Sequence, residues 1–538
     1  MADRVREIER KYEATEGGLP DLTAAAGVAD VVDRGVASLD ATYHDTGTER
    51  LAADGITLRR RTGGGDAGWH LKLPLAEDTR EEIRAPLTDR LPRELAALVR
   101  SRVRRAPLVP VMRLRSERKL RQLLDADGRL LAEVSVDAVS AERPTGDGAG
   151  PTAHWTEIEV ELAEGADPAV LDAVERQLRK AGIRRAPGPS KLARALAETR
   201  PGPRQKAKPV KPAKTAEPAK TGKKARTAKT AKPAKPSEKP KKRVATAGDQ
   251  ILDYVRAQAA ALVELDPAVR RELPDSVHRM RVATRRLRSA FRSFGKVLDR
   301  AATDPIADEL KWLAAELGVD RDREVLTARL YERLGELPKP LLIGPVRGRL
   351  RTWSGTRRRG ARRHVTAVLD SDRYFDLLDS LDALLADPPL RPAAARPALE
   401  VVPGAVLRDF DRLEARMRAA LAAPVGPERD LAMHEARKAA KRARYSAETA
   451  RPAIGKPARR FVHHMKALQD VLGDHQDSVV AREALRELAL QAQAAGESGF
   501  TFGVLYGHEE ARATTRESEL AGAWAEAADP RRRAGLRA

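Results

Sequence analysis

Glu7, Glu9 and Lys11 stand two apart in REIERKY (Arg6–Tyr12). On a helix, Val5, Ile8 and Tyr12 share a face, and Glu7 and Lys11 make an ordinary i,i+4 pair. On a strand, side chains alternate. Two carboxylates and an ammonium then project from one face, and Ile8 and Tyr12 from the other. Alone, the stretch reads as a helix. The same alternation returns in TEIEVEL (Thr156–Leu162). There Glu157, Glu159 and Glu161 share one face, and Ile158, Val160 and Leu162 the other. Carboxylates at alternate strand positions can turn several oxygen donors toward one hard cation. Cationic counterparts occupy GITLRRRTGGGDAGWHLKLP, which reads as a hairpin. Its turn at Gly63–Gly65 joins Ile56–Arg61 to Trp69–Leu73. Arg59 and Arg61 share one face, and Lys72 opposes Trp69, Leu71 and Leu73. A second strand-turn-strand pattern surrounds Asp127 and Gly128, with Arg113 and Arg115 on one face.

These strands must be held by something. A charged strand face is usually solvated surface. Here both signs recur at matched spacing on several strands, and a closed barrel would turn those faces into one lumen. Helices would then cover the apolar outside. Residues 167–181 read as one such amphipathic helix, stopped by Gly182.

A second source of chemistry lies in the Ala-, Leu- and Arg-rich remainder, which reads as helical. HRMRVATRRLR begins at His278 and HEARKAAKRAR at His434. Basic residues follow each histidine at the same offsets: Arg281, Arg285, Arg286 and Arg288, then Arg437, Lys441, Arg442 and Arg444. LGVDRDREV and LGDHQDSVV follow at nearly equal distances. The chain therefore contains two copies of a helical unit, read as a pseudo-symmetric bundle. His278, Arg281, Arg285 and Arg288 form one stripe, repeated by His434, Arg437, Lys441 and Arg444. Two facing stripes would make a cationic groove for phosphate oxygens. TRRRGARRH (Thr356–His364) adds basic surface without a repeat to support it.

Bulk properties agree. The 538 residues carry a net charge of +22. Residues 1–200 hold 33 Lys+Arg against 34 Asp+Glu, and residues 201–245 hold 16 against 2. That Lys/Ala/Pro-rich segment has little to bury and reads as a disordered linker between domains at 1–200 and 246–538. The basic balance points to a polyanionic partner. Only 4% of residues are aromatic, which favours phosphate over base recognition. There is no cysteine, so thiolate metal sites and cysteine nucleophiles are excluded. The charged N-terminus and the lack of a long apolar run read as a soluble cytoplasmic protein.

Glu7-x-Glu9-x-Lys11 resembles the ExExK signature of the CYTH domain, in the triphosphate tunnel metalloenzyme family. TYHDT, LRRR, WHLKLP, RSERK, EIEVEL and PSKLARAL follow in that family's order over residues 1–200. The histidine-headed repeats resemble the CHAD domain, a family associated with polyphosphate binding. The resemblance implies a multidomain protein: an N-terminal α+β unit with an eight-stranded antiparallel β tunnel, and a C-terminal all-α bundle with an internal duplication. It implies hydrolysis of inorganic triphosphate or a similar short triphosphate with Mg²⁺ or Mn²⁺. Carried over, Glu7, Glu9, Glu157 and Glu159 hold metal, with Glu161 and Asp137 less secure. Arg59, Arg61, Lys72, Arg113, Arg115, Arg118 and Lys191 bind the triphosphate. Lys11 and Glu9 are catalytic. The two stripes bind polyphosphate. Arg84 departs from the family's R-x-E-x-E pattern, which leaves the roles of Arg80 and Glu82 open. Alternatives are an adenylate cyclase or thiamine triphosphatase on the same scaffold, or a non-catalytic polyphosphate-granule protein. In this setting REIERKY is the first tunnel strand.

Overall fold

The structure, a computed structural model, describes residues 3–15, 18–145, 150–188, 190–200 and 245–536, without the side chains of 319–322, 356–359, 361 and 532. All of the expected linker except Ala245, and much of the TRRRGARRH cluster's side-chain detail, lie outside the described residues. The chain divides into two compact units, Met1–Arg243 and Val244–Ala538.

In the first unit, β1 (Asp3–Glu13), β2 (Asp30–Asp45), β3 (Thr57–Thr62), β4 (Gly68–Ala76), β5 (Thr79–Ala85), β6 (Val109–Leu124), β7 (Leu130–Glu142) and β8 (Thr152–Leu162) form a closed barrel. Its order is β1-β5-β4-β3-β2-β6-β7-β8, and its pairings are antiparallel. Short helices α1 (Arg50–Ala53), α2 (Arg93–Leu98) and α3 (Arg100–Val103) precede α4 (Ala169–Lys180) and α5 (Lys191–Glu198). REIERKY is a strand: the isolated stretch had favoured a helix, but closure of the barrel decides it. Glu7 lies opposite Arg80, Glu9 opposite Glu161, and Lys11 opposite Glu159.

Alternation gives the barrel two surfaces. Outside, Tyr12, Ile158, Val160 and Val134 pack against Leu171, Val174 and Leu178 of α4. Those three positions repeat at i, i+3, i+7, and Gly182, at φ +78°, lets the chain turn back. Leu58, Leu71 and Ile83 similarly meet Leu95 and Leu98 of α2. Inside, one end of the lumen is apolar. Leu114, Val139, Ala141 and Trp155 pack with Leu192 and Leu196 of α5, which covers that end. Ser190 caps α5 by accepting from the Ala193 N–H at 3.1 Å, and this places Lys191 at the boundary with the charged lumen.

The second unit is helical: α6 (Ala247–Arg270), α7 (Ser276–Ser293), α8 (Arg300–Glu316), α9 (Gly318–Glu336), α10 (Val346–Leu369), α11 (Asp372–Ala386), α12 (Ala398–Ala422), α13 (Pro427–Ile454), α14 (Lys456–Ala494), α15 (Phe500–Ala528) and α16 (Pro530–Ala534). One large core joins Leu262, Leu287, Phe291, Phe410 and Met465; a smaller one gathers around Leu330, Trp353, Leu485 and Leu505. The stripes lie on α7 and α13. The second motif of the repeat falls at the α8–α9 junction in the first copy, and inside unbroken α14 in the second. Among the described residues, no helix is long and apolar enough to cross a membrane.

Candidate active site and cationic surface

The inward positions of the barrel meet in a cavity enclosing about 570 Å³ of empty space, including its open mouth. Glu7, Glu9 and Lys11 from β1 line it with Arg59 and Arg61 from β3 and Lys72 from β4. Arg80, Glu82 and Arg84 from β5 line it too, as do Arg118, Glu159, Glu161 and Lys191. Tyr43 is its one aromatic lining residue among the described residues.

Opposite charges interlock there. Lys72 reaches Glu7 and lies 3.7 Å from Glu82. Lys11 contacts Glu159 and sits 3.1 Å from Glu9. Arg118 grips Asp137 with two bonds of 2.7 and 2.8 Å and reaches Glu159 at 2.9 Å. Lys191 lies 2.9, 2.8 and 2.6 Å from Asp137, Glu157 and Glu159. Arg59 donates to the Tyr43 hydroxyl at 3.2 Å. Asp66, just beyond the glycine-rich turn, meets Arg61.

The carboxylates divide into two groups. Burial would raise Glu9 and Glu159, but Lys11 with Lys72 and Lys191 brings Glu9 below its usual range, and Lys11, Lys191 and Arg118 hold Glu159 well below it. Both stay ionised. Glu7 is pushed up to about 7 by burial, which Lys72 only partly offsets, and by Glu82 and Glu161. Glu161 is also raised, first by burial and then by Glu9 and Glu159 despite Lys72. No ion pair reaches Glu161 among the described residues. This corner, where Glu161 lies opposite Glu9 and Glu7 precedes Glu9 by two residues on β1, gathers three carboxylates. An all-oxygen donor set fits a hard divalent ion.

The remaining expected residues fall elsewhere. Arg113 and Arg115 were expected to face the lumen. They lie on the outer face, 44% and 55% exposed, with Asp40 at 2.6 and 3.6 Å. Strand alternation puts them opposite in parity to Arg118, which does face inward. Glu157, expected with the metal carboxylates, is held by Lys191 and by the Trp155 indole N–H at 2.6 Å, and does not line the cavity. Asp137 is likewise enclosed by Arg118 and Lys191.

Sequence reasoning missed His70 and left Arg80, Glu82 and Arg84 undecided. His70, two residues before Lys72, places Nδ1 2.9 Å from Glu82 and Nε2 2.9 Å from the Asp66 carbonyl oxygen. Burial pulls it down to about 4, so it is neutral at pH 7. Arg80 approaches Glu9 at 3.6 Å, and Arg84 pairs with Glu82 and lies 3.5 Å from Glu7. The same alternation that picked out Lys72 marks all four as inward.

In the helical unit the stripes on α7 and α13 lie within each other's field. Lys441 is pushed down to about 7 by burial, then by Arg437 and Arg285, against a weaker pull from Asp477. Burial lowers Arg288, with Arg292, Arg442 and Arg285 adding to it. Neither Lys441 nor Arg288 has an ion pair among the described residues. Arg437 stands 3.8 Å from Asp477, Arg444 3.7 Å from Glu448, and His434 Nδ1 2.6 Å from Gln476. His278 is exposed at the head of its stripe. The two copies differ at their eighth position. Arg286 is taken up by Glu448 at 3.0 Å, while Arg442 lines an open groove with Arg288, Arg292, Lys311, Arg412 and Lys438.

Comparison with known proteins gives the family. The CYTH domain profile matches residues 5–196 and the CHAD domain profile residues 253–486. A Mycobacterium tuberculosis relative, named as an uncharacterized protein in two strains, is 38% identical over 523 residues, covering 94% of this chain and 92% of its own. Among solved structures, PptA from Streptomyces chartreusis is 22% identical, covers 52% of this chain and 99% of its own, and has a TM-score of 0.45. The CHAD domain from the plant Ricinus communis is 26% identical, covers 55% of this chain and 92% of its own, and has a TM-score of 0.42. The chain belongs to the proteins that carry a CYTH domain followed by a CHAD domain on the same polypeptide.

Proposed function

We propose that the barrel hydrolyses inorganic triphosphate or a similar short triphosphate with Mg²⁺ or Mn²⁺, and that the helical unit binds polyphosphate. One observation carries the reading. The lumen holds arginines and lysines from several strands beside a cluster of carboxylates, with Tyr43 as the one aromatic lining residue among the described residues to receive a base. That lining favours an inorganic chain over ATP or thiamine triphosphate.

Glu7, Glu9, Glu159 and Glu161 would hold the metal, which neutralises charge on phosphoryl oxygens when bound. Arg59, Arg61, Lys72, Arg118 and Lys191 orient the chain, and Arg80 and Arg84 extend the cationic lining. Lys11, fixed between Glu9 and Glu159, stabilises charge on the terminal phosphoryl group. Ionised Glu9 accepts a proton from the attacking water as its oxygen bonds to the terminal phosphorus. The bridging P–O bond breaks, giving pyrophosphate and orthophosphate. Phosphate release from triphosphate, ATP and thiamine triphosphate, with each metal and with chelator, tests this. Metal-dependent turnover fastest on triphosphate supports it; no metal-dependent turnover of any of the three rejects it.

A further inference from the structure

The lumen is built for a polyanion, yet a carboxylate stands at its rim. Asp66, just beyond the glycine-rich turn that joins β3 to β4, lines the cavity with 38% of its side chain exposed. Its partner Arg61 is 5% exposed and spends one guanidinium nitrogen, Nη2, on the pair. Arg61 Nε is buried with no hydrogen-bond partner. Burial, Arg59 and Arg118 pull Arg61 down to about 9. This guanidinium is therefore still short of negative charge with Asp66 in place.

Asp66 and Lys11 lie toward opposite ends of the lumen. Lys11 and Lys191 both meet Glu159, which puts Lys11 at the end that α5 covers. Tyr43 belongs to the core under α5 and pairs with Arg59, while Asp40, earlier on β2, pairs with Thr62. β3 thus runs away from α5 and delivers the turn to the other end. There the turn is pinned at two points. Gly63 and Gly64 have φ of +80° and +70°, and a Cβ on Gly63 would lie 2.1 Å from the Ser38 carbonyl oxygen. The Asp66 carbonyl oxygen lies 2.9 Å from His70 Nε2. The backbone on either side holds the carboxylate beside Arg61.

We propose that Asp66 is a specificity-determining residue that limits the bound chain to three phosphates. This rests on the reading of the lumen as a triphosphate site. With its terminal phosphoryl group at Lys11, a linear chain extends toward Arg61. Its third phosphate takes the unpartnered Nε side of Arg61, while Asp66 keeps Nη2. A fourth phosphate would have to pass Asp66, and two anions would then face each other at the rim. Like-charge contact rejects the longer chain without adding affinity for the shorter one. A role confined to neutralising buried Arg61 makes a different prediction: loss of Asp66 would then weaken every chain alike.

The test compares kcat/KM of the full chain on linear triphosphate and linear tetraphosphate, by metal-dependent phosphate release. The parent should favour triphosphate. Asp66→Asn should raise the tetraphosphate-to-triphosphate ratio about three- to tenfold, through a lower KM for tetraphosphate. Asp66→Glu restores the charge and should return the ratio toward the parent's. Asp40→Asn, on the outer face, should leave the ratio unchanged. Misfolding cannot produce a gain on the longer chain. A parent that uses both substrates equally, or an Asp66→Asn variant with an unchanged ratio, overturns the inference and leaves the hydrolase reading standing. A parent without metal-dependent turnover of either substrate rejects that reading, and the inference with it.

Discussion

The lumen and the paired stripes both concentrate cations, but they solve the electrostatic problem in opposite ways. In the lumen nearly every cation has a carboxylate: Lys11 has Glu9 and Glu159, Lys72 has Glu7, and Arg118 has Asp137. On the stripes, Lys441 and Arg288 have no ion pair among the described residues, and Lys441 is driven down to about 7. A confined site can hold opposite charges in fixed positions before a ligand arrives, so little reorganisation is left for the reaction. The stripes leave Lys441 and Arg288 without an ion pair among the described residues, and a bound polyanion would supply one. The first arrangement suits chemistry on a short chain, and the second suits retention of a long one.

Breaking the lumen should have the largest effect. Lys11→Ala should lower kcat on triphosphate by about 10²–10³-fold, read by phosphate release at saturating metal. Arg118→Lys keeps the charge and loses the two-pronged grip on Asp137. It should raise KM about tenfold with a smaller change in kcat, since these side chains are not interchangeable at a bidentate site.

The stripes should show a pH dependence near neutrality. Lys441 is lowered in the free protein, so a bound polyanion must raise it again. Affinity for polyphosphate is then greatest below pH 7, where Lys441 is already protonated. It falls as pH rises through about 7, by up to tenfold per unit until the bound-state value is reached. Calorimetry in buffers of different ionisation enthalpy should show proton uptake on binding at pH 8. Lys441→Gln should remove that uptake, and persistence of uptake in the variant would contradict the assignment. The smallest effect should come from Arg113→Ala. Its exposed pair with Asp40 should change kcat/KM less than threefold and stability by about 0.5 kcal/mol or less, read by steady-state kinetics and denaturant unfolding.

Much of this was legible in the sequence because β alternation is strict. Glu7, Glu9, Lys11, Glu159 and Glu161 share the lumen as their spacing implied. Arg113 and Arg115 show where the pattern was misapplied. Being odd-numbered, they could not share a face with Arg118 on an unbroken strand, and parity alone could have separated them. Glu157 is a different kind of failure. It has the correct parity, but cross-strand register and the arrival of Lys191 on α5 commit its carboxylate, and neither is visible locally.

The division of labour between lumen and stripes is tested most directly by two folded variants of the full chain, Glu9→Gln and the double change Arg285→Gln with Lys441→Gln. Each is assayed for metal-dependent phosphate release from triphosphate and for polyphosphate binding at pH 7 and fixed salt. Glu9→Gln should lose turnover and retain binding. The stripe variant should lose about tenfold or more in polyphosphate affinity and retain turnover on triphosphate. Undiminished turnover in Glu9→Gln, or loss of both properties together in either variant, would contradict it.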